Sequence, residues 1–120
     1  MIRAGQIVLF RFPLTGRPEA KLRPALVLRC VPGRYDDWLI CMVSTQLRQC
    51  IAGLDDLITG NDADFKQSGL KHDSVIRATH LAVVDASLFL GVLGEVAPHR
   101  LDRVRRAIAG WIAGEKGQPS

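Results

Sequence analysis

Two short polar segments, each beside an apolar run, carry residue types that phosphate chemistry needs. Arg23 directly precedes Pro24 and the apolar run Ala25–Leu28, and the proline restricts the backbone of Arg23 to an extended shape. Ser44-Thr45-Gln46 supplies two hydroxyls and an amide after the apolar run that ends at Val43. An arginine beside hydroxyl groups can stabilise a pentacovalent phosphate and steer a proton. Each segment alone is more typical of a strand-edge arginine and of a strand-end turn.

Other catalytic signatures are absent from the sequence. It contains no Walker loop, no G-x-G-x-x-G, no G-x-S-x-G and no H-E-x-x-H. Asp62-Ala63-Asp64 is more typical of a polar turn than of a metal site, because the other ligands of a calcium loop are missing. We therefore expect no metal and no cofactor. His72, His80 and His99 could act as a general acid and base, as in two-histidine ribonucleases, but their spacing does not pair them.

Composition limits the class of protein. The 120 residues, 48% of them apolar, predict one soluble domain over residues 1–114 and a flexible tail over 115–120. No apolar run is long enough to span a membrane and no signal peptide is evident, so we expect a cytoplasmic protein. The net charge is +4 and 12 of the 16 basic residues are arginine, which favours nucleic acid as a partner.

Three cysteines without a C-x-x-C pair disfavour a disulfide framework and a zinc site. Cys30 and Cys41 lie in apolar runs and are expected to be small core residues.

Short apolar runs separated by turn residues predict an antiparallel sheet or small barrel rather than a βαβ fold. The predicted strands are Ile7–Phe12, Ala25–Leu28, Trp38–Val43, one near Cys50–Ile58, Ser74–Arg77, Leu81–Val84 and Gly91–Val96.

The pattern then changes to the period of a helix. Pro98 suits its first turn and Gly114 its end. The apolar face that the spacing indicates holds Leu101, Val104, Ile108, Trp111 and Ile112, and the first four are predicted to pack on the sheet. The face predicted to be solvated holds Arg100, Arg103, Arg105 and Arg106. The fold class is therefore mainly β with a C-terminal helix.

Five segments, in this order, resemble the MazF/PemK-like family, the toxins of type II toxin–antitoxin modules. The resemblance covers roughly residues 4–113. The matching segments are Gly5–Thr15, Lys21–Leu28, Val43–Gln46, Ser68–Leu70 with Ser74–Arg77, and Gly91–Val96 with the final helix.

The resemblance implies an SH3-like barrel, a homodimer and metal-independent, sequence-specific cleavage of single-stranded RNA, which inhibits translation and growth. In the family the RNA's 2′-hydroxyl is the nucleophile, and the products are a 2′,3′-cyclic phosphate and a 5′-hydroxyl. The implied catalytic residues are Arg23 and Ser44, with Thr45 beside it. Ser44 departs from the family's threonine and lacks the methyl group that stiffens the rotamer. The implied partner is a small antitoxin whose acidic, disordered tail lies in the RNA groove.

Four further residues are candidates for binding RNA. Arg17 and Lys21 lie in the Leu14–Leu22 segment that is expected to cover the groove, and Gln46 and Arg77 are the other two. The residues do not identify the general base. Two other functions stay open: a catalytically weak or inactive barrel that binds nucleic acid or antitoxin, and an adaptor with an SH3-like groove. The seven scattered aromatic residues disfavour the adaptor.

Overall fold

The computed structural model describes residues 1–13 and 20–115. Within them the strands are β1 (Gln6–Pro13), β2 (Ala20–Cys30), β3 (Asp37–Ser44), β4 (Asp56–Ile58), β5 (Ser74–Asp85) and β6 (Gly91–Glu95). The helices are α1 (Phe65–Ser68) and α2 (Pro98–Ala113), and single 3-10 turns lie at Leu47–Gln49 and Ala86–Leu88. No helix in these parts of the chain is long and apolar enough to cross a membrane.

The strands form one antiparallel sheet in the order β4-β5-β3-β2-β1-β6. The first three strands pair with their sequence neighbours, and β6 returns to lie beside β1. The sheet curls into half of a small barrel, and α2 completes the domain. The prediction of a mainly β, antiparallel fold with a C-terminal helix is therefore confirmed.

Alternation along the strands divides the apolar side chains between two faces of the sheet. In β2, Leu26 and Leu28 belong to the larger cluster, which includes the buried side chains of α2. Ala25 and Val27 belong to a smaller cluster on the opposite face. Partly buried rings pack at the edge of that second cluster, and Phe10 meets Phe12 edge to face with centroids 4.9 Å apart.

Helix α2 packs the face that its periodicity predicts, except for Ile112, which is 67% exposed. Leu101, Val104 and Ile108 are buried, and Trp111 packs against them partly exposed. Burying each aliphatic side chain contributes about 1.5–3 kcal/mol relative to leaving it in water. Pro98 occupies the first turn, and Gly114 ends the helix at a φ of 68°, a conformation that glycine adopts without steric cost.

Helix α1 approaches strand β6 so closely that two glycines are needed at the contact. Gly69 has a φ of 77°, and a Cβ there would overlap the backbone of Leu93. A Cβ on Gly94 would overlap the carbonyl oxygen of Gln67. This contact fixes the start of the segment after α1, which reaches the candidate site described below.

Strand β5 differs from the prediction of two separate strands. It runs without interruption from Ser74 to Asp85. The register against β3 moves from Cys41↔Leu81 to Val43↔Ile76, so the extra residues between Ile76 and Leu81 are absorbed in a bulge. The polar residues in this stretch therefore mark a bulge and not the end of a strand.

The strand predicted near Cys50–Ile58 is shorter, because only Asp56–Ile58 pairs with β5. The Asp55 carboxylate accepts hydrogen bonds from the backbone N–H groups of Ile51 and Ala78, at 3.0 and 2.9 Å, and thereby closes the preceding residues into a turn. The core placement is confirmed for Cys41, which is fully buried, and wrong for Cys30, which is exposed at the end of β2.

Candidate functional site

Strand pairing brings the two chemically suggestive segments together. Strands β2 and β3 are antiparallel with Ala25 opposite Met42. The paired residues end there, and Arg23 and Ser44 each lie two residues further along their strands, at the ends of the buried stretches. The sheet accommodates Pro24 at a position opposite Leu9 of β1. The sequence separates Arg23 from Ser44, and the hairpin between β2 and β3 reunites them.

The hydroxyl of Ser44 is held in place by the turn that follows it. Its Oγ accepts a hydrogen bond from the backbone N–H of Gln46 at 3.1 Å, and the side chain is only 4% exposed. The N–H of Leu47 donates to the carbonyl oxygen of Thr45 at 3.0 Å, which tightens the same turn. Ser44 is thus a fixed, nearly buried hydroxyl, whereas Thr45 and Gln46 are exposed.

Arg23, Ser44 and Thr45 line one open cavity of about 320 Å³, which we call the β2–β3 cavity. Its apolar lining comes from Leu9, Leu22, Pro24, Val43, Leu70 and Leu93, and its other lining residues are Gly69, Lys71, His72 and Ser74. The cavity therefore combines an apolar wall, three hydroxyls, an imidazole and two cations. Such a lining can hold a planar apolar group beside an anion.

Charge in the β2–β3 cavity is positive. Arg23 and Lys71 line it, and no carboxylate does so within the described parts of the chain. The Arg23 side chain is half-buried, and no hydrogen bond or ion pair joins it to another side chain of the described ranges. A guanidinium in this position can form a bidentate contact with a phosphate.

The segment after α1 contributes to the cavity, and sequence reasoning gave it little weight. Lys71 was not among the predicted site residues, and His72 was singled out only as one of three histidines. The backbone around His72 is anchored on both sides. The Ser74 hydroxyl donates to the His72 carbonyl oxygen at 2.8 Å, and the Asp73 carboxylate accepts the N–H of Gly60 at 2.8 Å. The sequence marks this segment only by Gly69 itself, because the contact of Gly69 with Leu93 exists only in the folded chain.

The predicted RNA-binding residues fall into three groups. Lys21 and Gln46 are exposed close to Arg23 and Ser44 along the chain, but do not line the cavity. Arg77 lies away from it and is buried: its Nε donates to Asp55 at 3.1 Å and its Nη1 to Gln49 at 2.8 Å. Arg77 therefore anchors the turn that follows the Ser44 segment to β5. Arg17 lies outside the described residues, as do most of the expected covering segment and residues 116–120 of the expected tail.

The prediction that the arginines of α2 are solvated is wrong for Arg100, which is 3% exposed. Its Nε and Nη2 donate to the two Asp64 oxygens at 2.8 and 2.9 Å, and its Nη1 donates to Asp56 at 2.7 Å. The hydrogen bonds from Arg100 lower the pKa of Asp64 to about 2. Asp64 also accepts the N–H of Ala97 at 2.9 Å. The polar turn expected at Asp62-Ala63-Asp64 is thus an anchor for the start of α2.

Two cysteines and one histidine away from the cavity also have shifted pKa values. Burial raises the pKa of the Cys41 and Cys50 thiols, so both favour the neutral thiol. Burial and the neighbouring Arg77 lower the pKa of His80. Among residues 1–13 and 20–115, no three His, Cys, Asp or Glu side chains form a cluster that could hold a metal ion.

The curled sheet and the C-terminal helix define a small half-barrel with a positively charged cavity at the ends of β2 and β3. The model of the family of PemK-like, MazF-like toxins of type II toxin–antitoxin systems matches residues 3–112. The chain belongs to this family, whose members are endoribonucleases.

Solved structures of toxins share the fold. The chain is similar to MazF from Deinococcus radiodurans, with a TM-score of 0.65 and 24% identity over 92% of this chain and 94% of that one. It is similar to an endoribonuclease in complex with its cognate antitoxin from Mycobacterial species, with a TM-score of 0.66 and 15% identity over 94% and 96%. Mycobacterium tuberculosis toxin MazF-mt6 gives 0.64 and 15% over 92% and 98%. No curated protein sequence matches significantly.

Proposed function

We propose that this toxin is a metal-independent, sequence-specific endoribonuclease that cleaves single-stranded RNA to 2′,3′-cyclic phosphate and 5′-hydroxyl ends, and so inhibits translation and growth. The observation that carries the proposal is the convergence of Arg23 and Ser44 in one positively charged cavity. Family membership supports the same reaction class.

The proposed reaction asks three things of the protein, because the RNA supplies its own nucleophile. The phosphate must be bound, its growing negative charge must be stabilised, and protons must move. Arg23 suits the first two tasks, because a guanidinium offers positive charge and several N–H donors and this one lines the cavity without a side-chain partner among the described residues. Ser44 suits the orientation of a phosphate oxygen or a 2′-hydroxyl, because its own position is fixed. Thr45, which is exposed beside it, assists as a second hydroxyl.

Binding of the flanking nucleotides is proposed for Lys21 and Gln46, which are exposed close to the catalytic residues along the chain. Lys71 adds a cation that lines the cavity itself. Arg17 remains a proposed phosphate contact from its position in the sequence. If Lys21 and Lys71 contact phosphates, their replacement by alanine should weaken RNA binding more at low salt than at high salt.

Cleavage of RNA in the presence of a chelator tests the proposed function. Purified protein should cut mixed RNA in excess EDTA, and the products should carry 5′-hydroxyl ends that polynucleotide kinase labels without prior phosphatase. A strand of the same sequence made of 2′-deoxynucleotides throughout should stay intact, because it has no 2′-hydroxyl to act as nucleophile. Cleavage that stops in EDTA, or that yields 5′-phosphate ends, would contradict the mechanism.

A second candidate is a catalytically weak or inactive barrel that binds RNA or antitoxin. One observation favours it: the Ser44 hydroxyl is nearly buried and already accepts the Gln46 N–H. Binding of RNA without any cleavage by the parent protein would favour this function. If instead Ser44→Ala lowers an existing cleavage rate without lowering RNA affinity, the hydroxyl takes part in the reaction.

The proposed assembly is a cytoplasmic homodimer that also binds an antitoxin. Leu88, Leu90 and Val92 are each at least half exposed and lie beside or on β6, an edge of the sheet, which is typical of a surface that another protein covers. The known structures of related toxins include complexes with antitoxins. The positive β2–β3 cavity suits the acidic tail proposed for the antitoxin. Sedimentation of only a 13 kDa species at micromolar concentration would contradict the homodimer.

A further inference from the structure

The β2–β3 cavity holds an imidazole as well as the arginine and hydroxyls already assigned. His72 lines it together with Arg23 and Ser44. The proposed reaction needs a group that removes the proton of the 2′-hydroxyl, and none has been named so far. Among the described residues that line the cavity, His72 is the single histidine.

The other polar groups of the cavity are poor proton acceptors. The Arg23 guanidinium and the Lys71 ammonium are donors without a free lone pair. The hydroxyl of Ser44 already accepts a hydrogen bond, and that of Ser74 donates to the carbonyl oxygen of His72. A neutral imidazole nitrogen is a stronger base than any hydroxyl, and free imidazole titrates near neutrality, where general bases work best.

Strand pairing also places His72 close to the reacting groups. Ser44 of β3 lies opposite Val75 of β5. The residues just before Ser74 therefore pass the end of β3, where Ser44 and Thr45 leave the sheet. The hydrogen bonds at Ser74 and Asp73 hold this backbone, while the His72 side chain itself is exposed at the cavity.

We propose that His72 is the general base of the reaction, an inference that rests on the proposed function. A neutral ring nitrogen takes the proton of the 2′-hydroxyl as the 2′-oxygen forms its bond to phosphorus. The bond between phosphorus and the 5′-oxygen breaks, and the 5′-oxygen leaves with the electron pair and takes a proton from water. Arg23 stabilises the negative charge throughout. The charged residues that line the cavity with the imidazole are Arg23 and Lys71, and the carboxylate of the adjacent Asp73 accepts the N–H of Gly60.

The test is the pH dependence of single-turnover cleavage by the parent and by His72→Gln. We expect the variant to be slower by about a hundredfold to ten-thousandfold, which is the usual contribution of a general base. The parent rate should fall with falling pH as one group is protonated, and the variant should lack this dependence. Affinity for an RNA with a 2′-deoxynucleotide at the cleaved position should be the same for both proteins. His99→Gln, an exposed histidine on α2 outside the cavity, should match the parent.

Three outcomes would overturn the assignment in distinguishable ways. If His72→Gln has the cleavage rate and pH profile of the parent, His72 is not the general base, and the proposed function still stands. A parent protein that cleaves no RNA at any pH would overturn both. In an RNA with sulfur in place of the 5′-oxygen, the leaving group departs without needing a proton. Full recovery of the cleavage rate of His72→Gln on that substrate would therefore make His72 the general acid instead.

Discussion

Two arginines of this small toxin have opposite surroundings. Arg100 is 3% exposed, and Asp64, Asp56 and the carbonyl oxygen of Leu57 accept its guanidinium hydrogens. Arg23 faces a cavity and has no hydrogen-bonding or ionic partner in the described chain. Both residues are arginine, but the guanidinium of Arg100 is engaged in hydrogen bonds within the protein, whereas that of Arg23 is available to a ligand.

The carboxylates explain this difference. Asp56, Asp62 and Asp64 cluster around Arg100, between the β4 segment and the start of α2. The lining of the β2–β3 cavity includes no carboxylate within the described residues. An RNA phosphate that enters the cavity is therefore not repelled, whereas one that approached Arg100 would meet negative charge. The distribution of acids, more than that of arginines, separates the structural region from the functional one.

The largest predicted effect is on the structural side of this comparison. Asp64→Ala leaves the Arg100 guanidinium buried without its main partner and should destabilise the protein by about 3–5 kcal/mol. Urea denaturation followed by circular dichroism measures the loss. At a temperature where the variant is folded, the cleavage rate per folded molecule should equal that of the parent. A loss below about 1 kcal/mol would show that Arg100 is not held as described.

The next effect is on the functional side. Arg23→Ala should lower the cleavage rate on one defined RNA by on the order of a hundredfold or more, because a charge-stabilising group is lost. The urea midpoint should not change, since no described residue depends on this side chain. Arg23→Lys should recover only part of the rate, because lysine lacks the planar fork. If Arg23→Ala cuts as well as the parent, the site assignment is wrong.

The sequence predicted the surroundings of Arg23 better than those of Arg100, for a physical reason. Arg23 is marked locally by Pro24 and by the apolar run of β2, and the β2–β3 hairpin brings Arg23 and Ser44 to one cavity. The partner of Arg100 is Asp64, 36 residues away, and nothing local distinguishes Arg100 from Arg103 or Arg106. Helical periodicity predicted the packed face of α2 correctly, but periodicity carries no information about distant carboxylates.

The contrast between local and long-range signals also accounts for the other differences between the predicted and the observed structure. The β1, β2 and β3 strands are located by apolar runs and turn residues, which are local signals. Strand β2 nevertheless begins at Ala20, inside the Leu14–Leu22 segment that was expected to be a loop covering the groove. The bulge in β5 and the short β4 depend on the Asp55 carboxylate, which joins Ile51 to Ala78 across the chain. The role of Lys71 depends on the contact between α1 and β6, which only the folded backbone creates.

Acid should weaken the ion pair between Asp64 and Arg100. The pKa of Asp64 is about 2 in the folded protein, below the roughly 4 of an unfolded aspartate. As the pH falls, the Asp64 carboxylate therefore binds its proton in the unfolded chain before it does so in the folded protein. The stabilisation is complete above about pH 4 and is lost as the pH falls towards 2. The urea midpoint of the parent should drop across this window, and that of Asp64→Asn should drop less. Equal slopes would contradict the coupling between Asp64 and Arg100.

The smallest effect is expected from a third kind of arginine, one that is paired but solvated. Arg106 is 80% exposed and donates to Asp102, one helical turn earlier, at 2.8 Å. Water screens such a pair, and holding two long side chains in one geometry costs entropy. Arg106→Ala should therefore leave the urea midpoint unchanged within error. It should also leave cleavage unchanged at low salt, because this face of α2 lies outside the β2–β3 cavity. A slower variant with normal stability would instead extend the RNA-binding surface onto α2, and the division between structural and functional arginines would have to be redrawn there.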